Sequence, residues 1–428
     1  MREKTKPHVR IDRREFIRRG TFGAGALVGG SLLGSNAARG QIAPRRALAI
    51  HRPRSPVAVR RCKRYDRDLV HDRLGLMFAD LGGLSALVAG KSVAIKINGT
   101  GTGKWFHSVH SKMAHATHPE LVYATCRHLL DAGATKIRIM ESWQSPDDVA
   151  TLATLMDFDV AEFEALGSGD QVRFFHTRNK DTEAPNPDVG YPAYARIDVD
   201  DGVGGGDPYL FDYFYVNRMW AEADVIVSMA KLKGHELAGV TLSMKNLFGC
   251  LPNSIYGNDA EAPRPNEDAA SARISSCHNG AWNEGGKTPL LGEITGANVV
   301  PFGPHRMPSL VADLVRALPI DLAIIDGITG TQSAWGPVPG TSITTPGVLV
   351  VGRNSVCTDA ACVGIMGHDP RAPTETGMFL SGLNHLELAA ARGVGSNNLS
   401  RIPIIGDSIE SVRYDYYPPV NIADERPS

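Results

Sequence analysis

Short apolar blocks alternate with amphipathic blocks along residues 65–428, and this alternation predicts strands separated by helices. Runs of residues with high β-strand propensity predict strands at 92–97, 136–140, 172–175, 224–230, 322–325 and 348–351. Apolar residues at helical spacing predict helices at 149–166, 309–318, 356–366 and 384–392. A further helix is expected to begin at the capping-box sequence Thr117-His118-Pro119-Glu120 and to end at Gly133.

This order of elements predicts an α/β fold. Strands joined through helices make right-handed crossovers, which build a mainly parallel sheet with helices on both faces. The length of the region also permits two lobes around one cleft. Residues 177–206 and 256–286 are polar and rich in Gly, Pro and Asp, so we expect them to form long surface or active-site loops.

The first 38 residues have the pattern of a twin-arginine signal peptide. Asp12-Arg13-Arg14-Glu15-Phe16 precedes a mildly apolar, glycine-rich run at residues 21–33. That run is too short for a membrane span, which takes about 20 residues, although an uncleaved signal could serve as an anchor. A basic amphipathic helix is the weaker alternative, because each glycine in the run would destabilise a helix by roughly 1 kcal/mol. We therefore expect export by the twin-arginine machinery to the periplasm or another extracytoplasmic space.

Charge separates the next segment from the globular region. The whole chain has a formal net charge of −1, and residues 1–38 contribute eight Lys/Arg and three Asp/Glu. Residues 39–64 contain nine Lys/Arg and no Asp or Glu, so the remainder at 65–428 is acidic. The lack of apolar periodicity in residues 39–64 favours a basic linker over an arm for anionic surfaces. Nucleic acid is therefore not expected as a partner.

Polar side chains collect where the predicted strands end. Ligands bind outside the carboxyl ends of the strands in an open parallel sheet, so these residues form the candidate site. They are Lys96, Asn98, Glu141, Lys231, Lys233, His235 and Asp326. Residues 231, 233 and 235 share one face if the chain is extended, and Thr241 and Lys245 share one face if a helix follows. Taken singly, each has an ordinary explanation, since a strand-end Lys is usually solvated and a strand-end Asp usually caps a helix.

Residues 93–104, VAIKINGTGTGK, have only the outline of a phosphate-binding loop. A Walker loop needs four residues between its glycines and Ser or Thr after the lysine. Here Gly99 and Gly103 enclose three residues, and Trp105 follows Lys104. A dinucleotide fingerprint would need its third glycine where Lys104 stands, so neither nucleotide motif is predicted.

Several blocks of the sequence resemble the family catalogued as domain of unknown function 362. They are AIKIN, THPELV, ADVIVSMAKLKGHELAGVTLSMKNLFGCLP, IDGI, GPVPG and TDAACVGIMG, and they cover about residues 90–370. The resemblance implies an α/β protein whose polar residues meet in one cleft, and it adds Asn246 and Asp359 to the candidate residues. Some members carry ferredoxin-like cluster domains. The six cysteines of this chain include no C-x-x-C, so we expect no iron–sulfur cluster.

The remaining histidines and cysteines do not decide whether the protein binds a metal ion. Four histidines fall close together in the sequence but match no fixed zinc spacing: His107, His110, His115 and His118. They could hold a transition metal, and His118, at a helix N-terminus, could equally bind an anion. His128 and His385 are expected to be ordinary helix residues.

Two groups of cysteines have different expected roles. Cys126, Cys357 and Cys362 lie in apolar helix patterns and are expected in the core. Cys250 and Cys277 lie in loop-rich sequence, where a disulfide, a metal pair and two thiols are equally open.

Three functional interpretations follow. In the first, the protein is an enzyme for a small anionic substrate, a carboxylate or a phosphate, in which His235 transfers a proton and Glu141 or Asp326 acts as base or divalent-metal ligand. Its substrate-binding residues would be Lys96, Asn98, His118, Lys231, Lys233, Lys245 and Asn246. The second interpretation is a redox protein with a metal or flavin, and the third is a solute-binding or assembly protein without turnover. The sequence leaves this choice and the cofactor open.

Overall fold

A ten-stranded sheet forms the centre of the protein. The computed structural model describes residues 53–101, 103, 105–106, 108–143, 147–177, 194–252, 277, 303–333 and 341–419. The chain divides into two units, residues 1–40 and 41–428, and every described residue lies in the second. The twin-arginine segment, Lys104, His107 and most of the predicted loop at 256–286 therefore lie outside the described residues.

The strands and helices alternate much as the sequence predicts. The strands are β1 (Val57–Arg61), β2 (Ser92–Lys96), β3 (Trp105–Phe106), β4 (Val109–His110), β5 (Lys136–Glu141), β6 (Val172–His176), β7 (Tyr194–Asp198), β8 (Tyr213–Asn217), β9 (Val225–His235), β10 (Gly239–Val240), β11 (Leu322–Gln332), β12 (Ser342–Thr344), β13 (Val348–Gly352) and β14 (Ile404–Gly406). The helices are α1 (Arg67–Asp80), α2 (Ser85–Val88), α3 (Ser111–Ala114), α4 (Pro119–Asp131), α5 (Val149–Leu155), α6 (Val160–Glu164), α7 (Arg218–Glu222), α8 (Leu242–Asn246), α9 (Gly303–Ala317), α10 (Ser355–Ile365), α11 (His385–Ala391) and α12 (Ile409–Val412).

The large sheet is mainly parallel, as predicted. Its strands lie in the order β14, β1, β13, β11, β9, β2, β5, β6, with β10 paired to β9 and β12 paired to β11. The ladders among β11, β9, β2, β5 and β6 are all parallel, whereas β13 runs antiparallel to β11 and β1. The carboxyl ends of β2 and β5 lie beside the longer strands β9 and β11, which continue past the ends predicted at residues 230 and 325. Lys231, Lys233 and Asp326 therefore lie within their strands, whereas Lys96 and Glu141 end theirs.

Helices cover both faces of the sheet, because successive strand residues point to opposite sides. Val93 and Ile95 of β2 belong to one buried cluster with α1 and α4, whereas Ala94 belongs to the other, with α9 and α10. This confirms the predicted α/β class. The two lobes around one cleft stay a prediction.

Four local predictions are wrong, each for an identifiable reason. Residues 57–61, predicted as part of the basic linker, form β1, because Val57, Ala58 and Val59 are buried between β13 and β14. The predicted helix at 149–166 is two helices, since Asp157 takes a left-handed φ of 67° and Asp159 caps a new start. Residues 194–198, predicted as loop, pair with β8. The fourth is the capping box, because His118 and not Thr117 is the N-cap of α4.

Candidate functional site

Lys96 and Glu141 form a buried ion pair at the ends of β2 and β5. Lys96 Nζ lies 2.6 Å from Glu141 Oε2 and donates a second hydrogen bond to the carbonyl of Ile97 at 2.6 Å. Glu141 also accepts hydrogen bonds from the N–H groups of Gly99 and Ser142, each at 2.9 Å. Both carboxylate oxygens are therefore engaged in holding Lys96 and the adjoining loops in place.

Two glycines let the backbone approach this pair closely. A Cβ on Gly249 would lie 2.2 Å from Glu141 Oε1 and 2.5 Å from Lys96 Nζ. A Cβ on Gly99 would lie 2.4 Å from Trp143 Nε1 and 2.9 Å from Glu141 Cγ. The first glycine of the VAIKINGTGTGK stretch is thus required for contact with Glu141, which accounts for a glycine there without a phosphate loop.

A second buried ion pair joins β9 to β11. Lys231 Nζ lies 2.8 Å from Asp326 Oδ2, and both side chains are fully buried. Tyr65 connects the two residues, because its hydroxyl accepts from Lys231 at 2.7 Å and donates to Asp326 Oδ1 at 2.8 Å. Burial and the charge of Asp326 raise the pKa of Tyr65 well above its ordinary value, so the phenol stays protonated. Asp326 also accepts from the backbone N–H of His118 at 3.3 Å.

The start of α4 differs from the predicted capping box. His118, not Thr117, is the N-cap, since its Nδ1 accepts from the N–H of Glu120 at 3.2 Å. Thr117 instead ties two loops together, because its hydroxyl donates to the carbonyl of Met229 and accepts from the N–H of Asn98. Asn98 itself makes a local turn, with its Oδ1 accepting from the N–H of Thr100 at 3.0 Å.

His118 is packed rather than solvated. Its ring stacks on Tyr65 with the centroids 3.6 Å apart. Burial and the charge of Lys231 lower the pKa of His118 to about 2, so its imidazole is neutral at ordinary pH. Because Nδ1 accepts a hydrogen bond, the proton of the neutral ring is on Nε2.

Helix α8 carries Lys245 and Asn246 to the same edge. Asn246 Nδ2 donates to the carbonyl of Lys96 at 3.2 Å and to Ser228 Oγ at 3.1 Å. Lys245 Nζ lies 5.4 Å from the ring centroid of Phe248, within cation–π range. The lysine and the amide are thus positioned from one short helix.

Asp359 holds the start of α8 from the neighbouring helix α10. Its Oδ1 accepts from the N–H and the hydroxyl of Ser243, and its Oδ2 accepts from the N–H of Met244 at 2.9 Å. Burial raises the pKa of Asp359 to about 7, although these donors oppose the shift. Asp359 therefore holds helix α8 in place, and the helix in turn positions Lys245 and Asn246.

Lys233 follows Lys231 by two residues on β9. It is buried, and Lys245, Lys231 and Lys96 all act on it as like charges, with Glu236 as an opposing charge. Burial first, and then these lysines, lower the pKa of Lys233 to about 7. Like charges therefore outnumber the opposing charge among the groups that act on Lys233.

His235 and His115 complete this side of the site. Nδ1 of His235 accepts from the N–H of Leu237 at 3.2 Å, so a neutral His235 carries its proton on Nε2. The sequence predicts His115 only as a possible metal ligand, yet it is fully buried, and burial together with Lys233 and Lys231 lowers its pKa to about 3. The His115 ring thus lies within the field of Lys233 and Lys231.

The described residues contain no set of three or more His, Cys, Asp or Glu side chains arranged to hold a metal. His110 is the N-cap of α3 and His118 the N-cap of α4, so each ring already serves a helix start. Cys126, Cys357 and Cys362 are buried in the core, as predicted. Cys250 and Cys277 are buried in one hydrophobic cluster. None of the helices in the described ranges combines the length and apolar character that crossing a membrane requires.

Tyr65 is not among the site residues that the sequence predicts, and His115 is predicted only as a possible metal ligand. Tyr65 lies 166 residues before Lys231 and just ahead of Asp66, the N-cap of α1. Its position next to a helix start was a weak local signal, but only the long-range packing of β1 and α1 brings it to Asp326.

Comparisons with known proteins identify a family and assign no activity. The family model described as "Domain of unknown function (DUF362)" matches residues 93–364. A thylakoid-associated protein of Synechocystis is 24% identical over 181 residues, which are 42% of this chain and 44% of that protein. The chain thus spans less than half the length of this curated relative. A crystal structure of a Thermotoga maritima protein has a TM-score of 0.31 and 11% identity, covering 62% of this chain and 51% of that one.

Proposed function

Since this chain belongs to that family of unknown function, we propose a function from the geometry of the strand ends: the protein binds a small anion there. The ligand would carry a carboxylate or a phosphate and would contact Lys233 and Lys245, with Asn246 and His235 beside them. Lys96 and Lys231 would contribute charge from their ion pairs.

The environment of Lys233 carries this proposal. Three other lysines act on its buried ammonium as like charges, and its pKa is lowered to about 7. Two like charges 4 Å apart cost about 4 kcal/mol at an effective dielectric of 20, and less at larger separations. A bound anion would offset this repulsion, so the ligand should stabilise the folded protein.

An enzyme acting on the bound anion is the finer form of the proposal. A lysine with a pKa near 7 exchanges its proton readily at neutral pH, and His235 would present Nε2–H to the ligand. Glu141 and Asp326 were predicted as bases or metal ligands. Because each already accepts a lysine and backbone N–H groups, we assign them to holding Lys96 and Lys231 and give proton transfer to Lys233 and His235.

A thermal-shift screen of phosphates and carboxylates, each with and without Mg²⁺, Mn²⁺ or Zn²⁺, tests the proposal. An anion at 100 times its Kd should add about 2.7 kcal/mol of stability, which is a few degrees in Tm. Lys233→Met should lose the shift. Lys136→Met is the matched control, because Lys136 is exposed at the opposite end of β5. If no anion shifts the wild type, or if Lys233→Met responds as the wild type does, the proposal is wrong.

We also propose that residues 1–38 direct export through the twin-arginine machinery. The support is the Arg13-Arg14 pair ahead of a short, glycine-rich apolar run. Proteins on this route fold before they cross the membrane, so the buried lysine site would form in the cytoplasm. The anion could then be bound before or after export.

A further inference from the structure

Two threonine hydroxyls beside Lys233 are buried without a hydrogen-bond partner among the described residues. They belong to Thr241, which is 3% exposed, and to Thr331, which is fully buried. Buried hydroxyl groups are nearly always hydrogen-bonded, because removing one from water without a new partner costs free energy. Two such groups next to one lysine therefore call for a physical reason.

The pairing of the strands places both threonines next to Lys233. Thr331 of β11 is the partner of Lys233 in the parallel ladder between β11 and β9. Thr241 directly follows β10, which also pairs with β9, and its N–H donates to the carbonyl of Lys233 at 3.0 Å. Neighbouring strands lie about 4.8 Å apart, and each edge of a strand holds one neighbour at a given residue. The two threonines therefore adjoin Lys233 from opposite sides of β9.

Asp359 explains why helix α8 does not use the Thr241 hydroxyl. Thr241 is the N-cap residue of α8, where a threonine side chain ordinarily accepts from the second or third N–H of the helix. Those two N–H groups, of Ser243 and Met244, donate to Asp359 instead, each at 2.9 Å. Thr241 makes no side-chain cap hydrogen bond. Its hydroxyl is thus not needed to begin the helix.

The backbone directly after Thr241 is strained. Leu242 has a φ of 47°, in the left-handed region that side chains other than glycine rarely adopt. The Leu242 side chain is fully buried in a hydrophobic cluster, so packing maintains this conformation. Strained residues of this kind concentrate at ligand sites, where the fold must keep a particular group in place. Here the group next to the strain is the Thr241 hydroxyl.

We propose that Thr241 and Thr331 are ligand-binding residues of the anion site, each donating its hydroxyl hydrogen to an oxygen of the anion that Lys233 holds. This inference rests on the proposed function and narrows the ligand class. The three donors come from β9, from β11 and from the segment after β10, so they reach the anion from different directions. A tetrahedral oxyanion presents oxygens in several directions, whereas a carboxylate presents both of its oxygens in one plane. The site therefore suits a phosphate or sulfate group.

Calorimetric titration of the full chain with inorganic phosphate near pH 7 tests the role of each hydroxyl. Thr241→Val and Thr331→Val remove the hydroxyl and keep the shape of the side chain. Each should weaken phosphate binding about tenfold, the order expected for one lost hydrogen bond to a charged group. Thr241→Ser and Thr331→Ser keep the hydroxyl and should bind within about threefold of the wild type.

Stability without ligand separates a binding role from a structural one. Each Thr→Val variant should be at least as stable as the wild type in urea denaturation, because it removes a buried hydroxyl that has no protein partner. Thr344→Val is the matched control on the neighbouring strand β12. Thr344 is also fully buried, but its hydroxyl is hydrogen-bonded to the Tyr416 hydroxyl at 2.8 Å. This control should lose stability and should bind phosphate within about twofold of the wild type.

A comparison of sulfate with malonate tests the ligand class, because both are dianions near pH 7 and only sulfate is tetrahedral. The wild type should bind sulfate more tightly than malonate, and this preference should shrink in each Thr→Val variant. Equal affinities for the two anions in the wild type would contradict the assigned class.

The outcomes distinguish this inference from the function on which it rests. If the wild type binds none of phosphate, sulfate and malonate, both are wrong. If it binds phosphate and Lys233→Met does not, while the Thr→Val variants bind within about twofold of the wild type, only the role of the threonines is wrong. A Thr→Val variant that is less stable than the wild type, or does not fold, would show that the hydroxyl serves the protein structure and would overturn the inference.

Discussion

The lysines at the strand ends differ in how their charges are offset. Lys96 and Lys231 lie 2.6 and 2.8 Å from buried carboxylates. Lys233 is influenced most by burial and then by Lys245, a like charge. The first two lysines therefore hold neighbouring strands together, whereas Lys233 is the lysine that we propose responds to a ligand.

Lys96→Met should destabilise the protein by about 3–5 kcal/mol, because it leaves the buried carboxylate of Glu141 without its cation. Urea denaturation measures this loss as a lower midpoint. The double variant Lys96→Met/Glu141→Gln should recover part of it, since the buried charge is then removed as well. A double variant that is less stable than Lys96→Met would contradict the assignment of a structural ion pair.

Lys233 should make stability depend on pH in a defined direction. The folded state releases this proton near pH 7, whereas the unfolded chain holds it to about pH 10.4. Between these values the unfolded state binds more protons, so the free energy of unfolding contributed by Lys233 rises with pH. Below pH 7 Lys233 is charged in the folded protein, so the full free-energy cost of burying that charge lowers the stability.

Denaturation of the wild type and of Lys233→Met, without added anion, measures this dependence. The stability advantage of Lys233→Met over the wild type should be largest at pH 6 and should shrink towards pH 10. Both proteins contain the other titrating groups, such as Asp359, so the pH dependence that those groups cause cancels in the comparison. A difference that does not change with pH would rule out the low pKa of Lys233.

At the scale of elements, close approach of the 3₁₀ turn Leu247–Cys250 to β2 and β5 shapes the site. Gly249 allows it, because its added Cβ would lie 2.2 Å from Glu141 Oε1. Gly249→Ala should therefore cost about 1–3 kcal/mol and weaken anion binding, as the ion pair shifts.

Gly205→Ala is the control for that substitution. An added Cβ on Gly205 meets nothing within 4 Å, so stability should change by no more than about 0.5 kcal/mol. Equal stabilities of the two variants in urea denaturation would show that the turn can move away from Glu141.

The central strands could be predicted because their apolar runs are long and their ends are marked by polar residues. β1 could not, since its three buried residues, Val57 to Val59, stand among many basic ones, and only pairing with β13 and β14 reveals them. The general rule that strand-end lysines are solvated also failed here. Lys96, Lys231 and Lys233 are all at most 1% exposed.

The site could be located at the sheet edge but not completed from the sequence. The sequence predicts that Asp326 and Glu141 belong to the site. It does not predict which lysine each one pairs with, because the pairing depends on the order of strands in the sheet. Tyr65 reaches Lys231 and Asp326 from outside the central strands, through tertiary packing that no local pattern encodes. The roles assigned to these residues stay predictions.

At the scale of the whole molecule, the export proposal makes a separate prediction. Residues 1–45 fused to a reporter that folds before transport should carry the reporter out of the cytoplasm. Replacing Arg13 and Arg14 by Lys should abolish transport, since the paired arginines are the defining part of the signal. Cell fractionation measures the outcome, and unchanged export of the double-Lys fusion would refute the twin-arginine assignment.

The central claim, that buried lysines at the strand ends bind an anion, makes a prediction about protons. A bound anion favours the charged form of Lys233 and raises its pKa, so binding at pH 8 should take up a proton. Calorimetric titration with inorganic phosphate in two buffers of different ionisation enthalpy measures this uptake directly. We expect proton uptake in the wild type and in Lys136→Met, and its loss in Lys233→Met. Binding without proton uptake, or equal uptake in Lys233→Met, would contradict the account.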